Sequence, residues 1–243
     1  RIIYAAVTAF LIAFVLAPWL IKKLQEIKLG QQVRDDGPKR HLAKSGTPTM
    51  GGLLIIFAVV ISTLLWAVPS NVYVLLALGT MCWMGGVGFI DDYLKVTKRN
   101  SRGLDARPKM LLQVVWCMVV VGVLYAWPPA REHVRHLMVP FLKDPVYTDL
   151  GLGAVLVFVT LVMVGATNAV NLTDGLDGLA IGPCTIAAAT YIVFAYVIGN
   201  FRAATYLQIP FIPGVGELSI FLGALVGAGM GFLWYNAYPA QMF

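Results

Sequence analysis

Long stretches without a charged side chain constrain this chain more than any other feature of its sequence. No Asp, Glu, Lys or Arg occurs from residue 50 to 90, from 150 to 173 or from 178 to 201. Charged residues make up 12% of the 243 residues, whereas about 25% is usual in soluble domains. A run of about 20 apolar residues crosses a bilayer as a helix. The sequence therefore predicts an all-α, polytopic integral membrane helix bundle.

The apolar runs divide into seven predicted spans within a single transmembrane domain, residues 1–243. They are too long and too uniform for the strands of a membrane barrel, which alternate in pieces of about ten residues. Residues 69–71, Pro-Ser-Asn, separate the second and third spans and predict a helical hairpin. The spans are Ile2–Ile21, Met50–Val68, Val72–Ile90, Met110–Trp127, Leu150–Val170, Leu179–Ile198 and Leu218–Tyr235.

Basic residues are concentrated in the connections after the first and third spans. Cytoplasmic loops of membrane proteins carry an excess of Lys and Arg. Both connections, the segment 168–180 and the end of the chain are therefore predicted to face the cytoplasm. The basic residues are Lys22, Lys23, Lys28, Arg34, Lys39, Arg40 and Lys44 in the first connection, and Lys95, Lys98, Arg99, Arg102, Arg107 and Lys109 in the second.

Two adjacent carboxylates, Asp91 and Asp92, lie at the cytoplasmic end of the third span. In a helix, Asp91 and Lys95 share a face because they are four residues apart. The negative end of the helix dipole disfavours anions there, so either Lys95 or a metal ion is expected to compensate. A solvated, ion-paired helix end is the alternative interpretation.

Four polar residues recur at intervals of three between two uncharged stretches: Asn168, Asn171, Asp174 and Asp177. Charged groups near membrane depth are costly and usually functional. Gly175 and Gly178 predict that the helix breaks in this segment. Thr173 or Asp174 as a simple helix cap is the alternative, although a cap needs only one such residue.

Three further segments bring polar groups to the same face. Lys44 and Thr49 precede the second span and suit phosphate binding at a helix N-terminus, although Thr49 is also a plausible N-cap. Arg107 and Lys109 precede the fourth span, where phosphate binding competes with plain topology signalling. Asn236 ends the last span as an uncharged polar group at the predicted surface.

Carboxylates mixed with cations on one face suit Mg²⁺, which prefers one or two carboxylates together with substrate phosphates. Phosphoryl transfer needs neutralisation and alignment of charge more than it needs a special nucleophile. The residues alone therefore favour a phosphate-transferring membrane enzyme.

Four motifs taken together resemble the phospho-N-acetylmuramoyl-pentapeptide transferase family, within the polyprenyl-phosphate N-acetylhexosamine-1-phosphate transferase superfamily. They occur in the expected order over nearly the whole chain. They are Gly46-Thr-Pro-Thr-Met-Gly-Gly52, Phe89-Ile-Asp-Asp-Tyr-Leu-Lys95, Asn168-Ala-Val-Asn-Leu-Thr-Asp-Gly-Leu-Asp-Gly-Leu-Ala180 and Asn236-Ala-Tyr-Pro-Ala-Gln-Met-Phe243.

The resemblance implies a ten-helix enzyme of the bacterial inner membrane, usually a homodimer, with its active site facing the cytoplasm. Its reaction transfers phospho-MurNAc-pentapeptide from UDP-MurNAc-pentapeptide to undecaprenyl phosphate, giving lipid I and UMP for peptidoglycan and cell wall synthesis. Mg²⁺ is the expected cofactor, and the protein is expected to be embedded in a lipid bilayer. Nucleic acid is not among the expected partners.

The resemblance also implies roles for individual residues. Asp91 and Asp92 match the catalytic pair, as base, nucleophile or metal ligands, and Lys95 matches the lysine beside the phosphates. The remaining matches are expected to bind substrate: Lys44, Thr49, Asn168, Asn171, Asp174, Asp177, Asn236 and one of Arg107 and Lys109. The family's main metal-binding Asp and a triple-His motif are expected beyond Phe243, so we expect the C-terminal part of the domain to be lacking.

Two other functions stay open from the sequence. A sister enzyme would transfer GlcNAc-1-phosphate from UDP-GlcNAc to the same lipid, although the motif at 46–52 and Lys95 argue against it. A secondary transporter would use Asp174 and Asp177 as ion ligands. The transporter hypothesis predicts carboxylates in the middle of a span, whereas Asp174 and Asp177 fall at span ends.

Overall fold

The computed structural model describes residues 1–26, 48–97, 103–139, 142, 144–174 and 176–242. Helices make up most of this part of the chain, and Leu137 and Tyr147 form an isolated antiparallel bridge. The helices are α1 (Ile2–Glu26), α2 (Gly52–Trp66), α3 (Val72–Thr97), α4 (Ala106–Ala126), α5 (Pro128–Arg135), α6 (Leu152–Thr173), α7 (Ile181–Ile198), α8 (Phe201–Leu207) and α9 (Leu218–Asn236), with a 3₁₀ turn at Val215–Glu217.

The all-α, polytopic prediction is confirmed, and each predicted span corresponds to a helix. Six helices among the described residues are long and apolar enough to cross a membrane: α1, α3, α4, α6, α7 and α9. The second predicted span is the exception, because α2 has only 15 residues, or about 22 Å at 1.5 Å per residue. Met50 has a positive φ of 75° and Ala67 is extended, so the helix is shortened at both ends.

Helix α9 lies at the centre of the bundle and packs against α1, α2, α3 and α7. Gly223, Gly227 and Gly231 of α9 lie against the backbone of α1 at Ile2, Ala6 and Phe10. The α1 residues in the buried core include four alanines, Ala5, Ala9, Ala13 and Ala17. Small side chains allow helix backbones to approach closely in membrane proteins. A Cβ on Gly231 would lie 2.9 Å from the carbonyl oxygen of Phe10, so this approach requires glycine.

Glu217 fixes one end of the bundle, where α3 and α9 both begin. Its carboxylate pairs with Arg1 at 2.6 Å and accepts the backbone N–H of Val68 at 2.9 Å. The Nδ2 amide of Asn71 donates to the carbonyl of Gly214 in the same region. Because α3 and α9 start together here, their C-terminal ends reach the opposite end of the bundle, where the polar motifs lie.

Two tryptophans hold α3 against α4. Trp83 and Trp116 stack with their ring centroids 5.2 Å apart. Trp116 donates to the hydroxyl of Thr80 at 2.9 Å, and Trp83 donates to the carbonyl of Leu112 at 3.0 Å. Helix α6 in turn packs against α4, so α3, α4 and α6 form a continuous wall around the polar groups.

Candidate active site

Lys95 joins the two adjacent aspartates in the last turns of α3. Its Nζ lies 2.7 Å from Asp91 Oδ2 and 2.9 Å from Asp92 Oδ1. The predicted i,i+4 pairing of Asp91 with Lys95 is confirmed, and the cation compensates two anions at the negative end of the helix. The Asp91 side chain is buried at 7% exposure, whereas that of Asp92 is 44% exposed.

The connection between α3 and α4 folds back onto Asp91. The backbone N–H of Leu104 donates to Asp91 Oδ1 at 2.8 Å. Gly103 precedes it with a φ of +56°, and a Cβ there would lie 2.5 Å from the same oxygen. Glycine is required both for this backbone conformation and for the close approach.

Lys109 brings a second cation to Asp91 from the first turns of α4. Its Nζ lies 3.7 Å from Asp91 Oδ2, and its side chain is mostly buried. Arg107 is exposed and does not line the cleft described below. The structure therefore brings Lys109, rather than Arg107, to the aspartate pair.

Asn168 connects α6 to α4 through a residue that the sequence analysis missed. Its Nδ2 donates to Gln113 Oε1 at 2.9 Å and to the carbonyl of Val164 at 2.8 Å. Gln113 is 1% exposed. The available signal was an amide side chain inside an otherwise apolar run, one helical turn beyond Lys109.

These groups surround an open cleft of about 540 Å³ between α3, α4 and α6. One end carries the charged residues of α3 and α4, and the other carries amides. The lining residues are Asp91, Lys95, Leu104, Asp105, Ala106, Lys109, Met110, Gln113, Asn168 and Asn171. Cations beside neutral amides suit a ligand that joins phosphate to other polar groups.

The break predicted after α6 is confirmed. Helix α6 ends at Thr173, α7 begins at Ile181, and Gly178 has a φ of +72°. Asp174 follows α6, where desolvation and then the negative charge of Asp92 raise the pKa of its carboxyl, while Lys95 opposes the rise.

Asn236 and Asp177 tie this turn to the segment after α9. Asn236 Oδ1 accepts the N–H of Gly178 at 3.0 Å, and its Nδ2 donates to the carbonyl of Met242 at 2.8 Å. Asp177 Oδ2 accepts the N–H of Ala240 at 3.2 Å. At 3% exposure, Asn236 is buried and not the surface group that the sequence suggested. Substrate binding by both residues stays a prediction.

Simple capping does not account for the polar residues at the helix starts. The N-caps are Gly51 for α2 and Ala180 for α7, and neither makes a side-chain cap bond. The buried hydroxyl of Thr49 has no hydrogen-bond partner in the part of the chain that the structure describes. Lys44 lies outside the described residues, so its predicted role is untested.

The carboxylates of the described residues could supply only part of the coordination of a Mg²⁺ ion. Among the described residues, no group of three or more His, Cys, Asp or Glu side chains is placed to share an ion. Asp91 Oδ1 already accepts from the N–H of Leu104, and its Oδ2 is ion-paired with Lys95 and, at 3.7 Å, with Lys109. The exposed carboxylate of Asp92 is the more accessible ligand, and Mg²⁺ commonly uses one or two carboxylates with phosphate oxygens.

The profile of glycosyl transferase family 4 matches residues 73–243. This chain belongs to glycosyl transferase family 4. Residues 44–56 also match the phospho-N-acetylmuramoyl-pentapeptide-transferase signature 1. That signature covers the Lys44 and Thr49 segment, and the family profile covers the other three motifs, so the resemblance identified from the motifs is confirmed.

Curated proteins are similar to this chain over its whole length. Proteins named phospho-N-acetylmuramoyl-pentapeptide-transferase are 56% identical in Syntrophus aciditrophicus and in Desulfatibacillum aliphaticivorans, and 51% identical in Geobacter sp. strain M21. Each match covers 100% of this chain and 66% of the relative. The chain thus spans just under two thirds of the length of these relatives.

Proposed function

We propose that this protein transfers phospho-MurNAc-pentapeptide from UDP-MurNAc-pentapeptide to undecaprenyl phosphate, releasing UMP and forming lipid I for peptidoglycan synthesis. The observation that carries the proposal is the cleft between α3, α4 and α6, where Asp91, Lys95 and Lys109 meet the amides of α6. The names of the similar proteins give the transferred group, phospho-MurNAc-pentapeptide, whereas the UDP donor and the lipid acceptor are proposed from the motif resemblance.

The two lysines address the main obstacle to this reaction, which is the repulsion between a lipid phosphate and a nucleotide diphosphate. Lys95 and Lys109 both lie within 4 Å of a carboxylate oxygen and line the cleft. Preorganised cations at a site of developing negative charge stabilise a phosphoryl-transfer transition state. Binding of both substrates here would bring their phosphates together without further reorganisation of the protein.

The two aspartates are suited to different roles. Asp91 is buried among two cations and a backbone amide, so its contacts favour a role in holding Lys95, Lys109 and the connection at Leu104. Asp92 is exposed, and among the described residues Lys95 is its ion-pair partner. We propose that Asp92 accepts the proton of the acceptor phosphate.

In the proposed step, an oxygen of the acceptor phosphate attacks the β-phosphorus of the nucleotide. A new P–O bond forms, the bond from the β-phosphorus to the bridging oxygen breaks, and UMP leaves with that electron pair. Mg²⁺ is proposed as the cofactor, held by Asp92 and substrate phosphates, and it would supply charge neutralisation. A covalent aspartyl-phosphate route is the alternative chemistry.

The membrane location and the orientation of the protein are also part of the proposal. The six long apolar helices support a multi-pass membrane protein. We propose that it lies in the bacterial inner membrane with the cleft facing the cytoplasm, because the flanking connections carry the excess of Lys and Arg. A homodimer is proposed from the resemblance alone.

The direct test is UMP release by the full-length protein in detergent with UDP-MurNAc-pentapeptide, undecaprenyl phosphate and Mg²⁺. We expect release that stops when either the lipid or Mg²⁺ is omitted. Release with UDP-GlcNAc but not with the MurNAc donor would contradict the proposal in favour of the sister activity. Isolation of a phosphorylated Asp91 or Asp92 during turnover would contradict direct attack.

A further inference from the structure

Gln113 is a buried polar residue that the proposed reaction has not yet used. It lies on α4, inside one of the candidate spans, and only 1% of its surface is exposed. A buried side-chain amide without hydrogen bonds is costly. Its Oε1 accepts a hydrogen bond from Asn168, whereas its Nε2 donates none to any of the described residues.

The position of Gln113 along α4 places this free donor beside the cations. Residues four apart on a helix share a face and are separated by about 6 Å along its axis. Gln113 is thus one turn beyond Lys109, farther into the span, and both residues line the same cleft. A phosphate bound at the lysines has the amide of Gln113 on its membrane side.

Asn168 fixes the orientation of the Gln113 amide. Both hydrogens of Asn168 Nδ2 are used, on Gln113 Oε1 and on the carbonyl of Val164. The oxygen of Gln113 is therefore committed to Asn168, and its nitrogen is the end that remains available. An amide held in this way can recognise an acceptor group such as a phosphate oxygen.

The wall of the cleft at the level of Lys109 also carries apolar surface that suits a hydrocarbon chain. Met110 lines the cleft and is 55% exposed, and it lies on the same helix three residues before Gln113. A nucleotide donor reaches the cleft from water, whereas the headgroup of a lipid reaches it from the bilayer. The donor nitrogen inside the span therefore lies on the path of the lipid.

Resting on the function proposed above, we infer that Gln113 Nε2 donates a hydrogen bond to the phosphate of the polyprenyl phosphate acceptor. The pair formed by Gln113 and Asn168 then constitutes the membrane-side wall of the acceptor site. Gln113 determines affinity for the lipid phosphate, while Lys95 and Lys109 neutralise the charge of both substrates.

Two substitutions separate this role from simple packing of α4 against α6. Gln113→Glu keeps the oxygen that accepts from Asn168 but removes the N–H donor. At pH 8.5 the ionised form of the glutamate is favoured, which places a negative charge beside the phosphate. Gln113→Met keeps the approximate size and removes both polar groups. Leu111→Met, at a position on the same helix that is 63% exposed, is the matched control.

The experiment measures KM for undecaprenyl phosphate and for the nucleotide donor in the full-length protein. We expect both Gln113 variants to raise the acceptor KM at least tenfold while the donor KM stays within twofold. The control should match wild type in both constants. An acceptor KM within twofold of wild type for Gln113→Glu, or an equal rise in both KM values, would overturn the inference.

A binding measurement keeps the inference testable apart from turnover. Thermal unfolding of the wild-type protein should shift upward with a polyprenyl phosphate but not with the corresponding polyprenol, and Gln113→Glu should lose most of this shift. An equal shift in wild type and variant would overturn the inference alone. A wild type that binds the lipid phosphate but releases no UMP would instead count against the proposed function.

Discussion

Gly103 lies so close to Asp91 that a Cβ at position 103 would be 2.5 Å from Asp91 Oδ1. The same oxygen accepts the N–H of the next residue, Leu104, at 2.8 Å. The orientation of a buried carboxylate in the cleft thus depends on a residue outside the helix that carries it. The loop and the aspartate form one structural unit.

We therefore expect Gly103→Ala to reduce UMP release at least tenfold. Alanine at a positive φ costs about 1–2 kcal/mol, and its methyl group would displace Asp91 or the loop. Gly86→Ala on α3 is the control, because a Cβ there meets nothing within 4 Å. Wild-type turnover by Gly103→Ala would show that the carboxylate does not need this orientation.

Lys109 and Arg107 should differ sharply although they lie two residues apart. Lys109→Gln removes a mostly buried cation 3.7 Å from Asp91, and we expect kcat/KM to fall at least tenfold, or about 1.4 kcal/mol of transition-state stabilisation. Arg107→Gln removes an exposed cation and should change kcat/KM less than threefold. Equal losses in the two variants would contradict the placement of Lys109 at the site.

The packing of α1 against α9 predicts a stability effect far from the cleft. Gly227→Ala places a methyl group against the backbone carbonyl of Ala6, and overpacking of this kind costs about 1–3 kcal/mol. We expect a lower thermal midpoint in detergent. Gly165→Ala on α6 is the matched control because its Cβ meets no neighbour, and an equal effect there would contradict the prediction.

The parts of this structure that follow local periodicity could be predicted from the sequence. Uncharged runs identify the spans, and the four-residue spacing places Lys95 on Asp91. The break after α6 follows from its glycines. The roles of Gln113 and Gly103 could not be predicted, because Gln113 depends on a contact with α6 and Gly103 on a contact with α3. Asn236 was misplaced at the surface because its burial depends on the turn at Gly178.

Asp174 is exposed, so its raised pKa predicts a modest pH dependence of stability. Desolvation and the charge of Asp92 raise the pKa of its carboxyl in the folded protein above the ordinary value of 3.8. The folded state then binds the proton more tightly than the unfolded state. As the pH rises from the ordinary pKa to the raised one, the folded state therefore loses stability relative to the unfolded state. Above both pKa values this loss no longer changes with pH.

Asp174→Asn should remove this contribution. We expect the ligand-free variant to unfold at a higher temperature than wild type at pH 7, and the difference to shrink as the pH falls toward 4. Solvent access to the side chain keeps the effect modest. The same variant should lose UMP release if Asp174 binds substrate, because functional sites commonly retain groups that lower stability. A variant less stable than wild type at pH 7 would show that Asp174 supports the turn after α6 rather than straining it.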